Sequence, residues 1–172
     1  MSSALGLFKR SKTSHKDVIN SIRNTTVDLA TKEQKSKIMN TLQQSKKFTA
    51  SVIMEMSNQN IYVIQYDGDR DVFGYIVIDT PIHLPASEKR HAVITYIETT
   101  ACHRRFSLAR KLLNAIGFTA KENGYRCLQV LRLGKALVFW RKCGFELHLS
   151  DSGSLQATLN LDPMSLYNIL NQ

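Results

Sequence analysis

In the stretch 97–113, Ile-Glu-Thr-Thr-Ala-Cys-His-Arg-Arg-Phe-Ser-Leu-Ala-Arg-Lys-Leu-Leu, a β-prone run passes through a short basic loop into a helical pattern. The first turn of a helix leaves backbone N–H groups without intrahelical partners, and the helix dipole places partial positive charge there. A phosphate is well held at such a point. Ser107 and Ala109 are small and let the backbone approach a ligand closely, while Arg104, Arg105, Arg110 and Lys111 add formal positive charge. These types in this order suit a pyrophosphate cradle. The competing reading is a basic helix start with an ordinary amphipathic face, although basic residues at that end are mildly unfavourable without an anion.

Three further side chains could take part in chemistry. Glu98 is a carboxylate inside an otherwise apolar strand, placed to accept a proton or else to face solvent, since strand side chains alternate. His91 opens the same strand and reads either as a base or as an exposed strand-end histidine. Cys143, near a helix end, reads as a structural thiol. The cysteines number three, Cys102, Cys127 and Cys143, with no short spacing. That argues against a disulfide framework or a zinc site, so no metal is expected, and it suits a reducing compartment, the cytoplasm.

The elements that position these groups follow from periodicity. A strand over 91–99 leads into a helix that starts near Leu108, carries Leu112, Leu113, Ile116 and Ala120 on one face, and ends at Asn123-Gly124. A buried strand over 127–131, a helix over 135–143 stopped by Gly144, and a hairpin of strands over 145–149 and 155–161 follow. Pro163 suits the first turn of a closing helix over 163–170. Upstream, the pattern predicts helices over 17–29 and 31–44, the second with Thr31 as N-cap and Gln34 completing a capping box. Strands are expected over 50–56, 60–66 and 72–79, the last two joined by a turn at 67–70, and 80–90 reads as a loop. The order is two helices, four strands, helix, strand, helix, two strands: a mixed α/β domain over 17–172 behind a basic flexible tail over 1–16.

Bulk properties set outer limits. The chain's 172 residues suit one domain, and 43% hydrophobic content suits one soluble core. No stretch approaches the ~20 apolar residues of a membrane span. The short apolar cluster Ala4-Leu5-Gly6-Leu7-Phe8 precedes its basic run, the reverse of a signal peptide. The 23 basic against 14 acidic residues give +9, which favours polyanions or a phosphorylated cofactor without choosing among them, and reads equally as a solvated basic surface.

The segment Arg104-x-x-Ser107-x-Ala109 resembles the acyl-CoA motif Gln/Arg-x-x-Gly-x-Gly/Ala of the GNAT superfamily of N-acyltransferases. Ala136-Leu-Val-Phe139-Trp140-Arg-Lys-Cys-Gly144-Phe145 resembles that family's second motif, Ala-x-x-Phe-Tyr-x-x-x-Gly-Phe. The resemblance covers roughly 91–149 and implies a central twisted mixed sheet flanked by helices, with acetyl-CoA or another acyl-CoA as cofactor. It implies that the pantetheine arm pairs with backbone near Ile97 and Thr99, and that N–H groups of Arg104, Arg105, Phe106, Ser107, Leu108, Ala109 and Arg110 take the pyrophosphate. A substrate amine then attacks the thioester after losing a proton, with Glu98 beside that position as candidate base. His103 is placed either against the adenosine 3′-phosphate or in solvent.

This chain departs from the pattern in three places. Ser107 replaces the middle glycine, Leu133 stands where Asn is frequent, and Trp140 stands where many members carry the Tyr that protonates the leaving thiolate. An indole N–H donates hydrogen bonds but is no acid near neutral pH. Tyr96 is the candidate replacement, with sheet packing as its alternative role; Phe139 and Trp140 read as core. Three functions stay open: an N-acetyltransferase acting on an amine, a catalytically degenerate binding or regulatory module, and a basic nucleic-acid-binding protein. For the enzyme, the charge makes nucleic acid, aminoacyl-tRNA or an acidic protein reasonable carriers of the amine, and a homodimer is a reasonable state.

Overall fold

The computed structural model describes residues 25–66, 72–79, 91–99 and 107–171. The expected tail over 1–16, the start of the expected first helix, the turn at 67–70 and the loop over 80–90 lie outside the described residues. So do Cys102, His103, Arg104, Arg105 and Phe106. The elements are β1 (Thr25–Leu29), α1 (Lys32–Gln44), α2 (Ala50–Asn58), β2 (Asn60–Tyr66), β3 (Val72–Asp79), β4 (His91–Thr99), α3 (Ser107–Glu122), β5 (Cys127–Val130), α4 (Leu137–Lys142), β6 (Glu146–Leu149), β7 (Leu155–Asn160) and α5 (Pro163–Asn171). The strands form a mixed sheet in the order β1-β2-β3-β4-β5-β7-β6. The described residues group into two compact units, one drawn from Met1–Val77 and Ile97–Ala109, the other from Ile78–Tyr96 and Arg110–Gln172.

In the first unit, two expectations are corrected. Residues 25–29 form a strand rather than the end of a helix. Thr25, Thr26 and Val27 are β-branched and lose rotamer freedom in a helix. Antiparallel pairing with β2, from Thr25↔Tyr66 to Leu29↔Tyr62, satisfies their backbone. Residues 50–58, expected as a strand over 50–56, are helical. Apolar runs this short fit either period. Thr49, extended at φ −71°, starts the helix, its carbonyl accepting from Ile53 N–H at 3.1 Å, and α2 packs against α1. The capping box of α1 forms as expected: Gln34 N–H donates to Thr31 Oγ1 at 3.2 Å, and Thr31 N–H donates to Gln34 Oε1 at 2.9 Å. Ile38 and Leu42 are the buried residues of α1, and Ile61, Val63 and Ile64 those of β2.

In the second unit, α3 follows its predicted period, with Leu112, Leu113, Ile116 and Ala120 all buried. Gly124, at φ 86°, takes the left-handed cap. Gly117 faces Leu166 of α5, and any Cβ there would overlap the leucine methyl. α5 opens at Pro163 behind Asp162, whose carboxylate accepts from Ser165 N–H at 2.8 Å and from its hydroxyl at 2.6 Å. These bonds hold the Asp162 carboxyl below its ordinary value. The β6–β7 hairpin pairs from Glu146↔Thr158 to Leu149↔Leu155, as the sequence predicts.

Candidate active site

Glu98 and the opening of α3 fall in the same compact unit. Alternation places Glu98 and Tyr96 on one face of β4 and Ile97 and Thr99 on the other. The Glu98 side chain is only 15% exposed, which removes the expectation of a solvated, outward-facing carboxylate. A carboxylate taken this far from water needs partners. Two are described: Glu98 Oε2 accepts from the Tyr75 hydroxyl at 2.8 Å, and Glu98 Oε1 from Lys47 Nζ at 3.3 Å.

Each partner arrives from a different element. Tyr75 lies on β3 and is 1% exposed, so its hydroxyl finds its acceptor inside the protein. Lys47 lies in the connection between α1 and α2, directly after Lys46, which adopts the left-handed conformation at φ 54°. Lys47 keeps 48% of its side chain exposed. Close approach of backbone completes the arrangement. A Cβ on Gly74 would lie 2.8 Å from the Glu98 carbonyl oxygen and 2.9 Å from Thr99 Cγ2, nearer than side chains tolerate. Only glycine at 74 lets β3 run this close to the end of β4.

The register between β4 and β5 runs from His91↔Cys127 to Ile94↔Val130 and ends there, while β4 continues to Thr99. The first turn of α3, from Ser107, contains no acidic residue, so no carboxylate of that turn competes for its positive end. Leu108 is buried and Ala109 half-buried. The Arg110 side chain is engaged with the Cys143 thiol through a hydrogen bond. Burial pushes that thiol up to about 11 despite the guanidinium, which marks it as structural. Lys111 is partly desolvated, which lowers its amine below the ordinary value. Tyr96 is half-buried and His91 exposed.

The segment 136–145 forms a short helix and a glycine stop. Gly144, at φ 86°, follows Cys143, and Phe145 N–H donates back to the Trp140 carbonyl at 3.0 Å. Trp140 is 3% exposed and packs edge-on to Phe139 and Phe145, with ring centroids 5.0 and 5.1 Å away. Its indole Nε1 is buried and has no hydrogen-bond partner among the described residues. Among the described residues no cluster of three or more His, Cys, Asp or Glu could hold a metal, and no helix is long and apolar enough to cross a membrane.

The family model of the acetyltransferase (GNAT) family matches residues 26–145. The chain belongs to the GNAT acetyltransferase family. Solved GNAT structures share the fold. An acetyltransferase of the GNAT family from Staphylococcus aureus superposes with a TM-score of 0.61 at 12% identity, covering 80% of this chain and 99% of that one. The GNAT family N-acetyltransferase YhbS from Escherichia coli, solved in complex with CoA, gives 0.59 at 17% identity, covering 83% and 84%. A GNAT acetyltransferase from Elizabethkingia anophelis with acetyl-CoA bound gives 0.57 at 16% identity, covering 80% and 98%. None of the curated proteins matches the sequence.

Two of the three departures from the GNAT pattern fall on buried positions, Leu133 at 6% exposure and Trp140 at 3%. Sequence reasoning singled out Glu98 but missed Tyr75, Lys47 and Gly74. Tyr75 reads as one more apolar residue of a buried strand, and Lys47 as part of a solvated basic run. The one available signal was Glu98 itself, because a carboxylate in an apolar strand requires a donor.

Proposed function

We propose that this GNAT protein is an acetyl-CoA-dependent N-acetyltransferase in which Glu98 takes the proton of an acceptor amine. The observation that carries this reading is the anchored carboxylate: Glu98 is held by Tyr75 from within, and an ammonium already sits on its other oxygen. A base must lie within hydrogen-bond reach of the proton it removes.

Acetyl-CoA supplies an acetyl group activated as a thioester. The chain's own residues bind and orient it. The backbone of Ile97 and Thr99, where β4 runs on beyond its register with β5, would hold the pantetheine arm. The amides of Arg104, Arg105, Phe106, Ser107, Leu108, Ala109 and Arg110 would take the pyrophosphate, and the acid-free first turn of α3 suits that anion. Tyr75 fixes the Glu98 carboxylate, which receives the amine proton. Tyr96 is the candidate proton donor to the thiolate. Free thiols ionise near 8.5, so unaided departure is also feasible. The +9 charge favours an amine carried on an acidic macromolecule: nucleic acid, aminoacyl-tRNA or an acidic protein. The buried cysteines Cys127 and Cys143 suit a cytoplasmic setting.

Thermal shift with acetyl-CoA, followed by CoA-thiol release over a panel of amines, tests the proposal. A shift together with release that Glu98→Gln removes is the expected result. A second reading is favoured by Trp140, whose buried indole cannot serve as an acid. On that reading the fold binds CoA without turnover, and the same experiment gives a shift without release.

A further inference from the structure

Of the partners described for Glu98, the ammonium is the one with acceptor chemistry. Lys47 Nζ lies 3.3 Å from Glu98 Oε1, half-exposed, on a connection between two helices. It is a primary alkylamine in contact with the carboxylate assigned as base. The other oxygen is taken by Tyr75. An external amine that gives its proton to Glu98 Oε1 must therefore displace Lys47 or share the oxygen with it.

We propose that Lys47 is itself an acyl acceptor of this protein, occupying the amine position when no external acceptor is bound. The proposal rests on the assignment of Glu98 as base in an acetyl-CoA-dependent enzyme. Glu98 takes one proton from the Lys47 ammonium. The neutral amine forms an N–C bond to the thioester carbonyl, and the C–S bond breaks. The thiolate of CoA leaves and takes up a proton, so one acetyl-CoA and one ammonium become N-acetyl-lysine, CoA thiol and one released proton. Acetylation removes the charge that binds Lys47 to Glu98. The modified side chain then leaves the carboxylate to other amines, so one self-acetylation opens the site.

The test uses the full chain. Wild type and Glu98→Gln are incubated with acetyl-CoA and no acceptor, and acetylated lysines are mapped by peptide mass spectrometry, with neighbouring Lys46 as internal reference. The expected result is acetyl on Lys47 ahead of Lys46, reduced at least about tenfold in Glu98→Gln. A second readout needs no CoA: a generic amine-acylating reagent labels Lys47 more slowly than Lys46 in the wild type, and Glu98→Gln removes the difference. Thermal shift with acetyl-CoA on both proteins accompanies the mapping. Binding of acetyl-CoA with Lys47 unmodified overturns this inference and leaves the function standing. Equal acetylation of Lys47 in both proteins also overturns it, as simple chemical acylation. No thermal shift with acetyl-CoA overturns the functional proposal, and this one with it.

Discussion

The Tyr75 hydroxyl donates to Glu98 Oε2 at 2.8 Å, from a strand position that is 1% exposed. A buried phenol and a carboxylate thus satisfy each other at the end of β4, and each substitution there has a separable outcome. Tyr75→Phe keeps the ring and deletes the donor. It is expected to cost about 1–3 kcal/mol, since the bond lost is to a charged group. Activity should fall further than stability predicts, because Glu98 loses its anchor. Urea unfolding and steady-state kinetics on one preparation check both.

Glu98→Gln keeps the side-chain shape and removes the proton acceptor. Turnover with an amine acceptor should drop roughly a hundredfold or more, while the thermal shift given by acetyl-CoA persists. Loss of the shift would mean that Glu98 serves binding rather than proton transfer.

Gly74→Ala introduces a Cβ 2.8 Å from the Glu98 carbonyl oxygen. Backbone cannot swing aside as a flexible side chain does, so β3 and the end of β4 must part locally. The expected destabilisation is about 1–3 kcal/mol, accompanied by reduced turnover. Denaturant midpoints and kcat/KM measure the two effects.

Trp140→Phe should cost little more than the lost ring volume, because indole Nε1 has no hydrogen-bond partner among the described residues. Trp140→Ala should cost about 3–5 kcal/mol, since the ring packs edge-on to both Phe139 and Phe145. Thermal unfolding of the two variants distinguishes a packing role from a polar one.

Cys143 predicts a pH dependence. Its thiol ionises near 11 in the fold against an ordinary 9.0, through burial. The unfolded chain loses that proton first, so this contribution is intact below pH 9 and declines as pH rises toward 11. Cys143→Ala should flatten stability against pH in that window. Alkylation of native protein at pH 8 should leave Cys143 unmodified.

Long elements with a clear period were legible in the sequence. α3, β2, β3 and β4 stand where hydrophobic spacing puts them, and the capping box of α1 where Thr31 and Gln34, three residues apart, put it. The segments 25–29 and 50–58 were not, because short apolar runs satisfy two periods and tertiary partners decide between them. Thr25–Leu29 is a strand because β2 offers it a ladder, and α2 is a helix packed on α1. The site was half legible for a similar reason. Spacing along the chain reveals Glu98 and the start of α3. No periodicity announces that Tyr75 and Lys47, 23 and 51 residues away, meet the same carboxylate.

The contact between Lys47 and Glu98 also bears on selectivity. An amine tethered by its own backbone competes with outside amines as if present at a high local concentration. Yet the ammonium end of the pair is half-exposed, so water screens the attraction on that side. Small amines in passing have little advantage over the resident one, whereas a bulky acceptor gripped elsewhere on the surface pushes it aside with ease. On the proposed function, and for as long as Lys47 is unacetylated, the pair would act as a turnstile that favours acceptors bringing a second point of attachment.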